Sequence, residues 1–165
     1  MNTPSAETFV PQLQEMFGDK IIDSQLHYDI LAITIKREAL HDIMLHLKNN
    51  EGFAFLTSAN GMHFPDGEQK FGMVYHLHNL PANLRLRIKC FSNEEQPHFK
   101  SLVDIFAAAN WMEREAYDFF GFHFAGHPDL RRILNMDSLE GWPLRKEYPL
   151  EDPTRMDKDD KMFGR

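Results

Sequence analysis

Prolines and glycines interrupt the segment formed by residues 110–150 so often that it can be neither one long helix nor one long strand. Glycine occupies positions 121, 126 and 141, and proline occupies positions 128, 143 and 149. Proline breaks helices and central strands, and glycine weakens both. Both tryptophans of the chain lie here, interleaved with charged residues. We therefore predict a short capped helix followed by an irregular tail, a kind of segment that more often contacts partners than fills a core.

The composition limits the class of protein. The 165 residues are the size of one domain, and no window has the roughly 20 uninterrupted apolar residues that a membrane span needs. The N-terminal residues lack the basic and apolar regions of a secretion signal, so we expect a chain that is not secreted. A net charge of −7 argues against non-specific nucleic-acid binding. The single cysteine, Cys90, excludes an internal disulfide and a cysteine-ligated iron–sulfur cluster or zinc ribbon within the chain.

The spacing of apolar residues predicts an α+β fold. Helices are predicted over residues 9–17, 37–48 and 101–108, and strands over residues 20–28, 29–36, 53–58, 72–79 and 84–91, with a hairpin connection at 61–70. We expect Thr8 to cap the first helix, with Pro11 in its first turn. Asn110 and Glu113 are expected to form a capping box on a last helix that ends at Gly121.

This order of elements predicts an antiparallel or mixed sheet with helices mainly on one face. Residues 1–109 would form the α+β domain. Residues 110–165 would form the capped helix and an extended partner-binding tail, which is not an independent domain.

Three acidic residues of the last predicted helix could bind a cation or perform acid–base chemistry, namely Glu113, Glu115 and Asp118. Arg114 lies four residues before Asp118 and can neutralise it. Arg131 and Arg132 are available to the other two acids. We therefore expect charge pairing that ties the helix to the tail rather than catalysis.

Histidines offer a second possible site. His76 and His78 lie two residues apart on one strand face, a spacing that two metal ligands can use. No third ligand is identifiable, although His63 is a candidate, so we expect a solvated strand face instead. His123 and His127 lie on either side of a glycine, and we expect structural roles for them, with the imidazole of His127 capping or pairing in a turn.

The remaining chemistry is sparse. Cys90 alternates onto the apolar face of its strand, which predicts an inert core thiol. The chain has no G-x-S-x-G elbow, Walker A loop or G-x-G-x-x-G fingerprint. Arg85, Arg87 and Lys89 form a basic stripe that could follow an RNA backbone, but the net charge is negative and no stacking platform adjoins it, so we expect a solvated or partner-facing sheet. These residues predict a non-catalytic protein–protein module.

Two stretches resemble one family closely. EREAYDFFGFHFAGHPDLRRIL at residues 113–134 and GWPLRKEYPL at residues 141–150 are similar to the signature of the C chain, or 30-kilodalton subunit, of respiratory complex I, the proton-pumping NADH:quinone oxidoreductase. Trp142 departs from the histidine that the family often has there, although other members carry an aromatic residue.

The resemblance implies a peripheral subunit of the hydrophilic arm, on the cytoplasmic side of the bacterial inner membrane. Such a subunit has no catalytic residues, binds no metal or other cofactor itself, and packs against the 49-kilodalton (D) subunit and other subunits of the arm. FMN, iron–sulfur clusters, NADH and quinone would bind in other subunits. No nucleic acid is expected as a partner, and the membrane would be reached only through the complex.

The resemblance also implies which residues dock on the partner. They are Trp111, Glu113, Arg114, Glu115, Tyr117, Asp118, Gly121, Gly126, His127, Pro128, Asp129, Leu130, Arg131, Arg132, Leu134, Trp142, Pro143, Leu144, Arg145, Lys146, Tyr148 and Pro149. We expect the arginines at 131, 132 and 145 and the lysine at 146 to pair with acids of the D subunit, and residues 151–165 to lie along it.

Two alternatives stay open. The same signature occurs in membrane-bound hydrogenases and in coenzyme F420-linked or ferredoxin-linked complexes, where the module would be the same and the electron donor different. A stand-alone metal-binding enzyme that uses His76 and His78 is the more distant alternative.

Overall fold

A computed structural model describes residues 6–28 and 30–148 of the chain. The helices are α1 (Ala6–Phe17), α2 (Leu40–Asn49) and α3 (Ala109–Phe120). The strands are β1 (Ile21–His27), β2 (Ile30–Ile35), β3 (Phe55–His63), β4 (Phe71–Asn79), β5 (Leu84–Ser92), β6 (His98–Lys100) and β7 (His123–Ala125). Short 3-10 turns over Gly18–Lys20 and Arg37–Ala39 precede β1 and α2.

Five strands form one mixed sheet in the order β1-β2-β5-β4-β3. β2 and β5 are parallel, and every other neighbouring pair in this sheet is antiparallel. The prediction of an α+β fold with an antiparallel or mixed sheet is therefore confirmed. β6 and β7 form a separate parallel pair, so residues 123–125 are a strand and not part of an irregular tail.

One face of the sheet carries the core. Alternate residues of β4, namely Met73, Tyr75 and Leu77, are at most 1% exposed, as are Leu86, Ile88 and Cys90 of β5. The apolar stripe of α2 and buried residues of α1 and α3 belong to the same core, which confirms helices mainly on one face. Cys90 lies in this core, as predicted, and burial raises the pKa of its thiol to about 12.

The first helix begins earlier than predicted. It starts at Ala6, so Thr8 lies inside it and Pro11 lies in its second turn instead of its first. A proline there removes one intrahelical hydrogen bond. Burial of Phe9 and Leu13, 3% and 1% exposed, offsets that loss because tertiary packing stabilises short helices more than propensity does.

The helix predicted over residues 101–108 is wrong, because the chain there forms consecutive turns. The amides of Ile105 and Phe106 both donate to the carbonyl of Leu102, at 3.0 and 2.7 Å. All three side chains are buried. Consecutive turns therefore bury the same apolar residues whose spacing predicted a helix. The Ser101 hydroxyl and the Leu102 amide donate hydrogen bonds to the Glu113 carboxylate of α3, described below, and these bonds hold the chain in this course.

The predicted capping box of α3 is also wrong. Ala108 occupies the N-cap position without a side-chain cap, Asn110 lies in the first turn, and Glu113 points elsewhere. Gly121 does end the helix, as predicted, with φ of 72° and its amide bonded to the carbonyl of Tyr117 at 2.8 Å. A side chain at Gly121 would also collide with the indole ring of Trp142.

Candidate protein–protein interface

Residues 109–148, here called the C-terminal segment, hold a buried carboxylate near their start. Glu113 is 0% exposed, and its two oxygens accept hydrogen bonds from the Ser101 hydroxyl and the Leu102 amide, both at 2.7 Å. Burial raises the pKa of Glu113 to about 7, partly opposed by these two hydrogen bonds. Glu113 therefore fixes the turns that precede α3, and the expected pairing with Arg131 or Arg132 is wrong.

A second buried carboxylate organises the loop after β7. Asp118 is 0% exposed, and its Oδ2 accepts hydrogen bonds from three consecutive amides, those of Ile133, Leu134 and Asn135, at 3.1, 2.8 and 2.9 Å. Burial alone would raise the pKa of Asp118, but these amides lower it below its ordinary value. Arg132 lies 3.7 Å from Oδ1. One carboxylate thus holds three residues of irregular backbone.

Arginines bind carbonyl groups of the same loop. Arg114, expected to neutralise Asp118, instead donates to the carbonyls of Arg131 and Arg132, at 3.1 and 3.0 Å. Arg132 donates in turn to the carbonyls of Met136 and Leu139, at 3.3 and 2.9 Å. The helix is tied to the tail as predicted, but mainly through side chain-to-backbone hydrogen bonds.

Arg145 anchors the second half of the C-terminal segment to the domain. This residue is 8% exposed, and it donates to the carbonyls of Phe120 and Glu95, at 2.6 and 3.3 Å. Its guanidinium lies 4.7 Å from the ring centre of Phe71, and burial lowers its pKa. A charge so placed is not free to pair with a partner, which differs from the role predicted for it.

His63 is an anchor that sequence reasoning missed. Its Nδ1 accepts a hydrogen bond from the Lys146 amide at 2.9 Å, and its ring stacks on Phe71 at 4.4 Å. Burial lowers the pKa of His63. The sequence offered His63 only as a candidate third metal ligand. The actual contact spans 83 residues of sequence, so no local pattern could have indicated it.

The turn at His127 confirms the predicted structural role. Nδ1 accepts a hydrogen bond from the Asp129 amide at 3.0 Å, so the proton lies on Nε2, which donates to the carbonyl of Asn110 at 3.1 Å. Trp142 packs between two side chains: its ring lies 5.7 Å from the Tyr117 ring and 5.3 Å from the Arg132 guanidinium.

Large apolar side chains are exposed on this internally bonded segment. Trp111, Leu134, Met136, Leu144 and Tyr148 are 60, 70, 73, 48 and 45% exposed. Arg131 is exposed as well and pairs with Asp129 at 2.8 Å. These six residues are here called the exposed set. Met136 was not among the predicted docking residues, because nothing in its local sequence shows that its side chain faces solvent.

The other predicted docking residues divide by exposure. Glu113, Arg114, Asp118 and Arg145 are buried, whereas Tyr117, Gly121, His127, Leu130, Arg132 and Trp142 are half-buried. Glu115, Gly126, Pro128, Asp129, Pro143 and Lys146 are exposed. Pro149 and residues 151–165 lie outside the described residues.

The histidine strand gives little support to a metal site. The Nε2 atom of His76 accepts a hydrogen bond from Arg87 at 2.8 Å, and its Nδ1 bonds the Ser58 hydroxyl at 2.9 Å. Burial, and secondarily Arg87, lowers the pKa of His76. Both nitrogens that could bind a metal are thus occupied, and His76 is half-buried rather than solvated as predicted. Across residues 6–28 and 30–148, no three His, Cys, Asp or Glu side chains converge as a metal-binding group.

Comparison with known proteins gives consistent matches. The family described as "Respiratory-chain NADH dehydrogenase, 30 Kd subunit" matches residues 33–154. One C chain of the NADH-quinone oxidoreductase of Rhizobium meliloti is 40% identical over 84% of this chain and 69% of its own length. The C chain of the NADH-quinone oxidoreductase of Moorella thermoacetica is 37% identical over 88% of this chain and 96% of its own length.

Solved structures share the fold. A trypsin-resistant fragment of Nqo5 superposes with a TM-score of 0.65 at 31% identity, over 74% of this chain and 98% of the fragment. A chain of the membrane-bound sulfane sulfur reductase, an archaeal respiratory membrane complex, reaches 0.75 at 21% identity, over 96% of this chain and 91% of its own length, a likeness of fold alone. None of the helices within the described part of the chain has the length and apolarity that crossing a bilayer requires.

Proposed function

Since this chain belongs to the family of the 30 Kd subunit of the respiratory-chain NADH dehydrogenase, we propose that it is a non-catalytic subunit of the hydrophilic arm of a proton-pumping NADH:quinone oxidoreductase. It docks on the 49-kilodalton (D) subunit through the C-terminal segment. It lies on the cytoplasmic side of the inner membrane and binds no cofactor itself. It supports electron transfer from NADH to quinone that proceeds through FMN and iron–sulfur clusters of other subunits.

One observation carries this proposal: the C-terminal segment buries several of its charged side chains while it exposes several large apolar ones. Asp118 and Arg145 are at most 8% exposed, whereas Leu134 and Met136 are at least 70% exposed. Large exposed apolar and aromatic side chains on an ordered backbone are the usual anchors of protein–protein interfaces. The exposed set would therefore contact the D subunit directly, and the buried charges would act by holding it in place.

The buried anchors also reduce the entropy lost on binding. Without them an irregular backbone would have to order during assembly, which weakens binding. The loop and the last turns are fixed by hydrogen bonds to three side chains, those of Asp118, Arg114 and Arg145. The binding surface is thereby formed before the partner arrives.

Arg131 and Arg132 have different roles in this proposal. Arg131 is exposed and bonded to a neighbouring aspartate, so Arg131→Glu leaves the loop intact and weakens docking. Arg132 contacts Asp118, two carbonyls and Trp142, so Arg132→Glu disrupts the loop itself. The two single variants separate docking from folding, which the double variant cannot do. If Arg131→Glu disrupted the folding of the loop, this division of roles would be contradicted.

The decisive experiment removes apolar anchors from the exposed set. Leu134→Ser combined with Met136→Ser should weaken incorporation into the complex by about 2 kcal/mol or more per anchor, about 30-fold each. The measurements are copurification with the D subunit and NADH:quinone activity of the membranes.

The matched control is Leu80→Ser. Leu80 is 60% exposed but lies in the connection between β4 and β5, outside the C-terminal segment. The control should assemble normally. Normal incorporation of the double variant, with an unchanged melting temperature of the isolated chain, would refute docking through the exposed set.

A further inference from the structure

The sheet has a second face, opposite the core, which we call the outer face. Pairing in register places His76 of β4 beside Arg87 of β5, and Val74 beside Lys89. Their chain neighbours Tyr75 and Ile88 point into the core, so these four residues point away from it. All four are half-buried. The helices of the described residues pack on the opposite face of the sheet, which carries the core.

The part of the outer face formed by β4 and β5 is basic, although the chain carries a net charge of −7. Asp23 of β1, the register partner of Thr34, lies on the same face, two strands away from β5. Arg87 and Lys89 have no carboxylate within salt-bridge distance among the described residues. Their register partners on β2 are Ala32 and Thr34, which are neutral. Neighbouring bases that no described carboxylate neutralises create a local potential that attracts negative groups.

The guanidinium of Arg87 is held ready for a ligand. Its Nε donates to Nε2 of His76 at 2.8 Å, and Nδ1 of His76 bonds Ser58 at 2.9 Å. This chain of hydrogen bonds crosses three strands and uses the Nε group of Arg87. Among the described residues its two terminal amino groups have no hydrogen-bond acceptor, and they can bind a carboxylate in a forked geometry.

An apolar shelf adjoins the basic row. Gly72 lies at the end of the basic row and has no side chain. The Phe91 ring lies across this glycine, 2.7 Å from where a Cβ atom would be. The Met62 methyl group lies 3.1 Å from the same point. Phe64 follows, 46% exposed and 6.5 Å from the Phe91 ring. A surface with bases beside aromatic residues suits a segment that combines acidic and apolar side chains.

We propose that the outer face is a second docking surface, on which Arg87 and Lys89 bind carboxylates of an acidic segment from another subunit of the same membrane complex. This surface lies apart from the exposed set of the C-terminal segment and does not depend on docking there. Charge complementarity selects the partner: Arg87 and Lys89 are cations beside which no described carboxylate lies within salt-bridge distance, so an acidic polypeptide fits and a basic one is repelled.

Zero-length cross-linking of the purified membrane complex tests the proposal. A carbodiimide joins an amine directly to a carboxylate, so it should link Lys89 to an aspartate or glutamate of another subunit, detectable by mass spectrometry. The matched control, Lys89→Arg, keeps the charge but lacks the amine, so it should assemble and lose the cross-link. Acetylation of Lys89 should be slower in the complex than in the free chain.

Charge reversal measures the contribution to assembly. Arg87→Glu combined with Lys89→Glu should lower recovery of the chain in the complex at least about tenfold, because like charges then face each other. The control, Arg87→Gln combined with Lys89→Gln, should have a smaller effect. The melting temperature of each free chain shows whether the variant folds, and the Lys89 cross-link tests the native chain regardless.

Two outcomes would overturn the proposal. If Lys89 is acetylated at the same rate in the complex and in the free chain, the outer face is uncovered. If Lys89 is protected but forms no carboxylate cross-link, something other than an acidic polypeptide covers it, and protection lost on nuclease treatment would identify nucleic acid. Neither outcome depends on Leu134 or Met136, so failure here is distinguishable from failure of the docking proposed above.

Discussion

The sheet and the C-terminal segment differ in which side chains they bury. In β4, Met73, Tyr75 and Leu77 are at most 1% exposed, while polar His76 faces outward. In the C-terminal segment, Glu113 and Asp118 are 0% exposed, while Leu134 and Met136 are 70 and 73% exposed. The usual arrangement of apolar residues inside and polar residues outside holds for the sheet, whereas these four residues of the C-terminal segment depart from it.

Backbone hydrogen bonding explains the difference. Strands satisfy each other's amides and carbonyls, so the side chains of the sheet are free to sort by polarity. The loop after β7 has no neighbouring strand within the described part of the chain, and its buried backbone groups need side-chain partners. Carboxylates supply acceptors for its amides, as Asp118 does, and guanidinium groups supply donors for its carbonyls, as Arg114 and Arg145 do.

The largest effect should come from Asp118→Ala, which leaves three amides without an acceptor. We expect a loss of about 3 kcal/mol or more in the free energy of unfolding, because hydrogen bonds to a buried charge are the strongest of their kind. Hydrogen exchange at residues 133–135 should become rapid while the amides of β4 stay protected. Equal loss of protection in both regions would show that the two are not organised separately.

A pH dependence accompanies this contact. The folded-state pKa of Asp118 is lowered, so its contribution to stability is present above the ordinary aspartate pKa and is lost as pH falls through the folded value. Acid should therefore release residues 133–135 before it unfolds the sheet.

Arg145→Lys should have the next largest effect. Lysine keeps the charge but cannot reproduce the fork that contacts the Phe120 and Glu95 carbonyls, so we expect a loss of about 2 kcal/mol. The expected signature is faster exchange of the Lys146 amide, which His63 normally binds. The surface control is Lys100→Arg, which should change neither the free energy of unfolding nor the exchange rate of the Lys146 amide. Wild-type exchange in Arg145→Lys would mean that charge alone anchors the segment.

Glu113→Gln should change the pH dependence of stability more than stability itself. The folded-state pKa is raised to about 7 from 4.5, so the folded state binds more protons than the unfolded state between those values. Stability then falls as pH rises from about 4.5 to about 7, by an amount on the order of 2 kcal/mol. Glu113→Gln should flatten that slope in denaturant titrations. An unchanged slope would show that Glu113 is not its source.

The smallest effect on folding should come from the exposed set. Leu134→Ser and Met136→Ser should each change the free energy of unfolding of the isolated chain by less than about 0.5 kcal/mol, because these side chains bury little area in the monomer. Thermal or chemical unfolding of the free chain measures this. A large destabilisation would mean that these residues serve the fold, and the contrast with Asp118 would disappear.

The local sequence pattern is sufficient to predict structure wherever the backbone conformation is regular. The apolar stripe of α2, the alternation that buries Cys90 and the glycine that ends α3 are all predictable, because periodicity and left-handed backbone are written within a few neighbouring residues. The stripe of residues 101–108 predicts a helix wrongly because turns can bury the same spacing. The family resemblance rests on the same kind of contiguous evidence.

Hydrogen-bond partners in the irregular parts of the chain follow from tertiary packing. The spacing of prolines and glycines shows that residues 110–150 form neither one long helix nor one long strand, and the contiguous motif places the chain in its family. The sequence did not show that Glu113 turns back to Leu102, that Arg114 binds carbonyls rather than Asp118, or that Lys146 meets His63. An irregular backbone leaves its amides and carbonyls open to whichever side chain the folded chain brings near, and that proximity is set by long-range packing rather than by spacing.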